Sequence, residues 1–217
     1  TPETAVADMG RAMDLAGFSQ FLSPEIKNFL KVNISWKHWY PACSTTPWQI
    51  EGVTKALEAL GHKDLVAAHN GTVVVNSYEG ELKNRHKAAQ LKVGLSDIHL
   101  DSEPNGWIDY KPKAEMLVLE DIFPEGIQIP ESFPGTNIVH LPTMKTHVFT
   151  TMTGAMKNAF GGLLHRKRYW THSVIHETLT DLLAIQQEIH PGLFAVMDGT
   201  FAGDGPGPRA MRWHIKD

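Results

Sequence analysis

Apolar residues at Ala5, Met9, Met13, Leu15 and Phe18 follow helical spacing and predict an amphipathic helix over Pro2–Phe21 that ends near Gly17. Phe29–Ile34 is a short apolar run that predicts a strand. After a loop over Trp36–Thr46, Thr46 and Pro47 suit an N-cap and a first helical position, so Trp48–Leu60 is predicted as a helix stopped by Gly61. Leu65–His69 predicts the next strand, Tyr78–Val93 a helix with Lys and Arg on one side, and Ala114–Glu120 another strand.

Prolines and glycines crowd residues 121–135 and predict an irregular connection or a small β insertion, with Gly126–Ile129 as its strand piece. Thr136–Leu141 is a strand stopped by Pro142, and Thr153–Phe160 a short helix ended by Gly161-Gly162. Ser173–Ile189 has the clearest helical pattern: Ile175, Leu179, Leu182, Leu183, Gln186 and Ile189 share one face. Leu193–Met197 then predicts a buried strand. Strands alternating with helices imply an α/β fold, a mainly parallel sheet covered by helices on both faces, in a single domain over residues 1–217.

Composition narrows the functional classes. The 217 residues carry 20 basic and 24 acidic side chains, a formal charge of −4, which argues against a nucleic-acid surface or a polybasic membrane contact. The single cysteine, Cys43, cannot hold an iron–sulfur cluster by itself. It would be a nucleophile only with a base beside it. No apolar run approaches the roughly 20 residues that span a bilayer, so a soluble, cytoplasmic protein is expected, or an exported one if a leader has been removed.

Ligands of open α/β sheets bind beyond the carboxyl ends of the strands. The residues expected there are polar: Lys31 and Asn33, His69 and Asn70, Lys145 and His147, Asp198 and Asp204. The richest segment is Pro142–Gly162. Lys145, His147, Lys157 and Asn158 stand among hydroxyl groups, and Thr153 is placed to cap a helix whose first N–H groups would favour a phosphate or carboxylate. The G-x-x-x-x-G-K-[ST] spacing of a P-loop is absent. The basic run His165–Arg168 suits either an anion clamp or a solvated loop, and His172 and His176, four apart, form a weak metal pair without the H-E-x-x-H pattern. Asp198 and Asp204 lie in a glycine-rich loop, where they could hold Mg²⁺, act as base, pair with the lysines or simply shape turns.

In order along the chain, these segments resemble the bacterial and archaeal domain-of-unknown-function family 362. Lys31-Val32-Asn33 is similar to its K-x-N, Thr45-Thr46-Pro47 to its T-x-P, and Leu141–His147 to its P-K-x-K-T-H stretch. Thr153–Gly161 resembles its T-G-x-x-K-N-x-x-G, His176 to Leu182 its H-x-x-x-x-D-L, and Asp198-Gly199 with Gly203–Pro206 its D-G…G-N-G-P. Thr143 replaces the usual Lys and Asp204 the usual Asn. The resemblance implies a shared α/β domain, relatives fused to ferredoxin-like modules or carrying export signals, and a family continuation that this sequence lacks. It implies no particular reaction.

Together these readings predict an enzyme for a small anionic molecule. His147 would be general acid or base, Lys145 and Lys157 a cationic clamp, and Asp198 a proton or metal partner. Lys31, Asn33, Thr153, Asn158 and Asp204 would complete the ligand contacts. A divalent-ion version enlists His147, His176 and Asp198. The alternative is a non-catalytic ligand or cofactor carrier beside an iron–sulfur redox partner.

Overall fold

The computed structural model describes residues 3–101, 106–164 and 166–215, so Pro2 and His165 of the predicted segments lie outside the described residues. The chain forms α1 (Ala5–Leu15), β1 (Asn28–Val32), α2 (Pro47–Ala59), β2 (Leu65–His69), α3 (Ser77–Lys83), α4 (His86–Val93) and β3 (Ser96–His99). It continues through β4 (Trp107–Tyr110), α5 (Leu119–Ile122), β5 (Ile127–Pro130), β6 (Asn137–Leu141), β7 (Thr143–His147), β8 (Thr151–Thr153) and α6 (Ala155–Leu163). A 3₁₀ segment at Arg166–Val174 leads into α7 (Ile175–Ile189), β9 (Leu193–Ala195), β10 (Asp198–Asp204) and β11 (Arg212–Ile215).

The main sheet is parallel, in the order β3-β2-β1-β6-β9. Alternation along β1 and β6 divides the core. Leu30, Val32, Val139 and Leu141 pack with Met13, Ile50, Val53 and Leu57 of α1 and α2. Phe29 and Ile138 pack on the opposite face with Phe160, Leu163, Leu182 and Ile185 of α6 and α7. Full burial of each such side chain contributes about 1.5–3 kcal/mol, so both sheet faces commit strongly to their helices. The chain turns from one side of the sheet to the other between β1 and β6, the switch point at which α/β sheets open a crevice.

A second sheet, β11-β10-β7-β8, stands on that carboxyl edge. β6 passes through Pro142 into β7, and β9 passes into β10, so two parallel neighbours of the first sheet become neighbours again in the second. Gln49 of α2 fastens the junction, its Nε2 donating to the carbonyls of Pro142 (3.0 Å) and Val196 (2.7 Å). β4 and β5 form a separate two-stranded antiparallel sheet. No helix among the described residues is long and apolar enough to cross a membrane.

The α/β prediction holds, and Thr46 caps α2 in a capping box with Gln49, with Pro47 in the first turn. Other local expectations are corrected. Tyr78–Val93 is two helices, because the Asn84 side chain bonds the carbonyls of Gly80 and Trp36 and Arg85 turns left-handed at φ 62°. Ala114–Glu120 is no strand: the N–H groups of Leu117, Val118 and Leu119 donate to the Asp181 carboxylate at 2.7–3.0 Å instead of to a neighbouring strand. Gly161 and Gly162 lie inside α6 rather than ending it. A Cβ at residue 162 would come within 2.2 Å of Lys31 Cε, so this glycine makes room for the lysine. β9 is a partly exposed edge strand rather than a buried one, and β7 and β8 take up most of Pro142–Thr153.

Candidate functional site

A cavity of about 440 Å³ opens beyond the carboxyl ends of β1 and β2. β1 contributes Lys31 and then Asn33, and the turn after β2 contributes Asn70. The second sheet supplies His147 and Thr153, while α6 supplies Lys157 and Asn158. Arg168 and His172 come from the 3₁₀ segment, and Arg209 from the loop between β10 and β11.

Charge is the dominant feature of this lining. Lys31, Lys157, Arg168 and Arg209 all face the cavity, and among the described residues no Asp or Glu lines it. Burial, then the nearby Arg168 charge, lowers the Lys31 ammonium to about 7 even though Asp101 pulls the other way. Lys157 is likewise lowered to about 7, by burial first and then by Arg168 and Lys145. Its Nζ sits 4.0 Å from the centre of the Phe160 ring. Arg168 is buried and its guanidinium donates to the Gly71 carbonyl. Such a concentration of desolvated like charge is unfavourable unless a counter-charge enters.

Lys145 lies just beneath the cavity rather than in it. Its buried ammonium donates to Asn33 Oδ1 (2.7 Å), Ser35 Oγ (2.9 Å) and the Cys43 carbonyl, and burial lowers it to about 8. His147 Nδ1 accepts the Phe149 N–H at 3.1 Å, which leaves Nε2 protonated in the neutral ring. Burial, then the charges of Lys157, Lys145 and His172, holds this imidazole down at about 4.

Several polar atoms in the lining lack partners. Asn158 Nδ2 donates to the Lys31 carbonyl (2.7 Å) and reaches His140 Nδ1 (3.4 Å), while its Oδ1 is buried without a hydrogen bond among the described residues. The same is true of Thr153 Oγ1 and of both Asn70 side-chain polar atoms. Buried polar groups rarely go unsatisfied, so these atoms call for water or a ligand. Thr153 does not cap α6: Gly154 occupies the N-cap and no side chain bonds there.

The carboxylates and metal pair of the sequence reading lie elsewhere. Asp198 is buried against α2, accepting from Thr46 Oγ1 (2.5 Å), Trp48 Nε1 (2.9 Å) and its own turn at Thr200 N (2.8 Å). Asp204 is exposed, 4.0 Å from His214 Nε2. His176 is exposed on α7, whereas His172 precedes that helix and faces the cavity, so their four-residue spacing does not join them. His147, His176 and Asp198 therefore occupy three different settings. Cys43 is buried, its thiol pushed up by burial and bonded to the Pro208 carbonyl, and among the described residues no histidine or carboxylate is hydrogen-bonded to it.

Arg168 and Arg209 are the cavity cations that the sequence reading did not single out as site residues. The basic run held a signal for Arg168, since one of its cations had to turn inward for a clamp. Lys167 of that run instead points outward to Glu125 at 3.4 Å. No protein among the curated ones and no solved structure matches the chain. The family model described as Domain of unknown function (DUF362) matches residues 29–215, which takes in the cavity from Lys31 to Arg209, and the chain belongs to that family.

Proposed function

We propose that the protein binds a small anionic molecule, a carboxylate or a phosphate, in the cavity at the switch point of the sheet and acts on it as an enzyme. The observation that carries this reading is the cavity's four cationic side chains, with no lining carboxylate among the described residues, in a chain whose formal charge is −4. Lys31 and Lys157 sit near 7, so an arriving anion would complete their protonation, and either ammonium could pass a proton to or from the bound molecule. Neutral His147, with its proton on Nε2, would donate to a ligand oxygen rather than take a proton at neutral pH. Asn158 and Thr153 would meet the ligand's remaining polar atoms with the groups they leave unpaired.

Calorimetric titration with inorganic phosphate and with malonate at pH 6.5 tests the reading. Binding is expected, and Lys157→Gln and Arg168→Gln should each weaken it about tenfold or more, about 1.4 kcal/mol. No binding of either anion by the folded protein, or unchanged affinity in both variants, would overturn it.

A carrier role has its own support at the rim. Val148 and Phe149 are 62 % and 52 % exposed beside the cavity, an apolar edge that a partner such as an iron–sulfur protein could cover. A carrier needs the cations but not the imidazole, so a His147→Gln variant that keeps full biological activity would favour it.

A further inference from the structure

A second cluster of chemically capable side chains lies away from the cavity lining, where α3 crosses the carboxyl ends of β2 and β3. Asp97 and His99 are two apart on β3 and share a face of that edge strand. Ser77 and Glu81 are four apart on α3, so they too share a face. His99 Nε2 stands 3.2 Å from Glu81 Oε2 and 3.5 Å from Asp97 Oδ2. One ligand atom from each of the three residues falls within a mutual span of 4.8 Å.

The hydrogen-bond pattern decides what those atoms need. Ser77 Oγ donates to Asp101 Oδ1 (3.2 Å), so toward His99 Nδ1 (2.8 Å) it accepts, and the Nδ1 nitrogen carries the proton. Nε2 then presents a lone pair to two carboxylate oxygens. That lone pair and the two carboxylate oxygens converge, an arrangement that a metal cation between them would hold together. Bonds of about 2.0–2.2 Å to one ion would space the ligand atoms by roughly 3–3.6 Å, and both carboxylate oxygens lie within that range of His99 Nε2. Asp101 and Ser77 also supply the outer hydrogen bond that ligating histidines ordinarily make. Glu81 is 3 % exposed, and its Oε1 has no hydrogen bond among the described residues. Lys87 Nζ lies 3.9 Å from that oxygen, and His69 Nε2, on an imidazole whose charged form burial disfavours, lies 3.6 Å from it.

We propose that Glu81, Asp97 and His99 bind a first-row divalent metal ion such as zinc or manganese. One imidazole with two carboxylates suits those ions better than magnesium or calcium, which favour oxygen alone. Lys87 now holds Asp97 from a half-exposed position and is the cation that a metal would displace. The site is independent of the anion reading, since none of its three ligands lines the cavity.

The full chain, stripped by dialysis against a chelator, is titrated with Zn²⁺ by calorimetry and with Mn²⁺ by electron paramagnetic resonance. One saturable ion per chain is expected. Glu81→Gln and His99→Gln should weaken it by about 10–100-fold or more, the least that disturbance around a metal centre produces. Lys87→Met should leave the affinity unchanged or tighten it by removing the competing charge. Because Glu81 is buried and its variant could misfold, Asp97→Asn provides a second loss of ligand at a more open position. Absence of saturable binding by the folded wild-type chain, as a simple His99 imidazolium would give, overturns the proposal. So does equal affinity in the His99→Gln and Asp97→Asn variants, which would place the ion on other histidines.

Discussion

Lys145 Nζ donates to Asn33 Oδ1 across 2.7 Å, and this one bond ties β7 of the second sheet to the segment leaving β1 of the first. The same ammonium reaches Ser35 and the Cys43 carbonyl, so three separate acceptors of the β1–α2 connection converge on one charge. Lys145 thereby shapes the floor of the cavity without lining it. Replacing it with Met keeps the bulk but leaves those acceptors buried and unmet. Lys145→Met should cost about 1–3 kcal/mol in urea unfolding. Phosphate affinity should fall less than in Lys157→Gln.

Stability should rise as the solution is made alkaline. Lys31, Lys145 and Lys157 titrate near 7, 8 and 7 when folded and near 10.5 when unfolded. Between those values the unfolded chain binds more protons, so unfolding free energy grows with pH. The Tm at pH 9 should exceed that at pH 7 by several degrees. Saturating phosphate at pH 7 should close part of that gap, because the anion offsets the charge that deprotonation would otherwise remove. A Tm that falls over this range would contradict the placement of the three lysines.

Acid should act in the opposite sense and through other residues. Burial lowers His140 to about 3 and His86 and His190 to about 4, and it lowers His69 as well. Their neutral state in the fold contributes stability that is complete above pH 6.5. It is lost as pH falls from 6.5 toward those values, because the unfolded chain then takes up protons that the folded chain refuses. Loss of the near-ultraviolet circular dichroism signal should therefore begin below pH 6. His140→Gln should shift that onset downward if the variant folds, since it removes one such group while keeping polar atoms for Gln186 and Asn158.

Asp181 and Asp198 should prove structural rather than chemical. Asp181 receives three backbone N–H groups from residues 117–119, and Asp198 receives Thr46, Trp48 and Thr200. Hydrogen bonds to a charged acceptor contribute about 1.5–3 kcal/mol each, so Asp181→Asn and Asp198→Asn should each destabilise the fold by about that amount in denaturant. Phosphate affinity of the folded fraction should stay within about threefold, well under the ~1.4 kcal/mol that a tenfold change represents.

His147 offers the clearest separation of binding from chemistry. His147→Gln retains a donor at the cavity and removes the imidazole. Phosphate or malonate affinity should drop by no more than about tenfold, about 1.4 kcal/mol. Affinity should also become less dependent on pH below 6, where the imaging of a proton on the native ring by nuclear magnetic resonance would report its titration near 4.

Much of this protein was legible in its sequence because the relevant forces act locally. The i, i+3, i+4 pattern of α7, the Thr46-Pro47 start of α2 and the apolar runs of β1, β2 and β6 needed only periodicity and backbone chemistry. The polar residues after those strands likewise pointed to the carboxyl edge, and Lys31, Asn33, His147, Thr153, Lys157 and Asn158 do share one cavity. Distance along the chain hid the rest. Asp198 looked like turn or ligand chemistry until the N-terminus of α2 came against it, and Ala114–Glu120 looked like a strand until Asp181 took its N–H groups. Arg168 and Arg209 joined the cavity because a 3₁₀ segment and a loop folded over it, and Glu81 met His99 because α3 crosses the edge of the sheet. The sequence by itself determined most of the helices and strands, since propensity and patterning are written residue by residue. Only the tertiary structure decided which charges lose water together, because desolvation depends on what packs overhead.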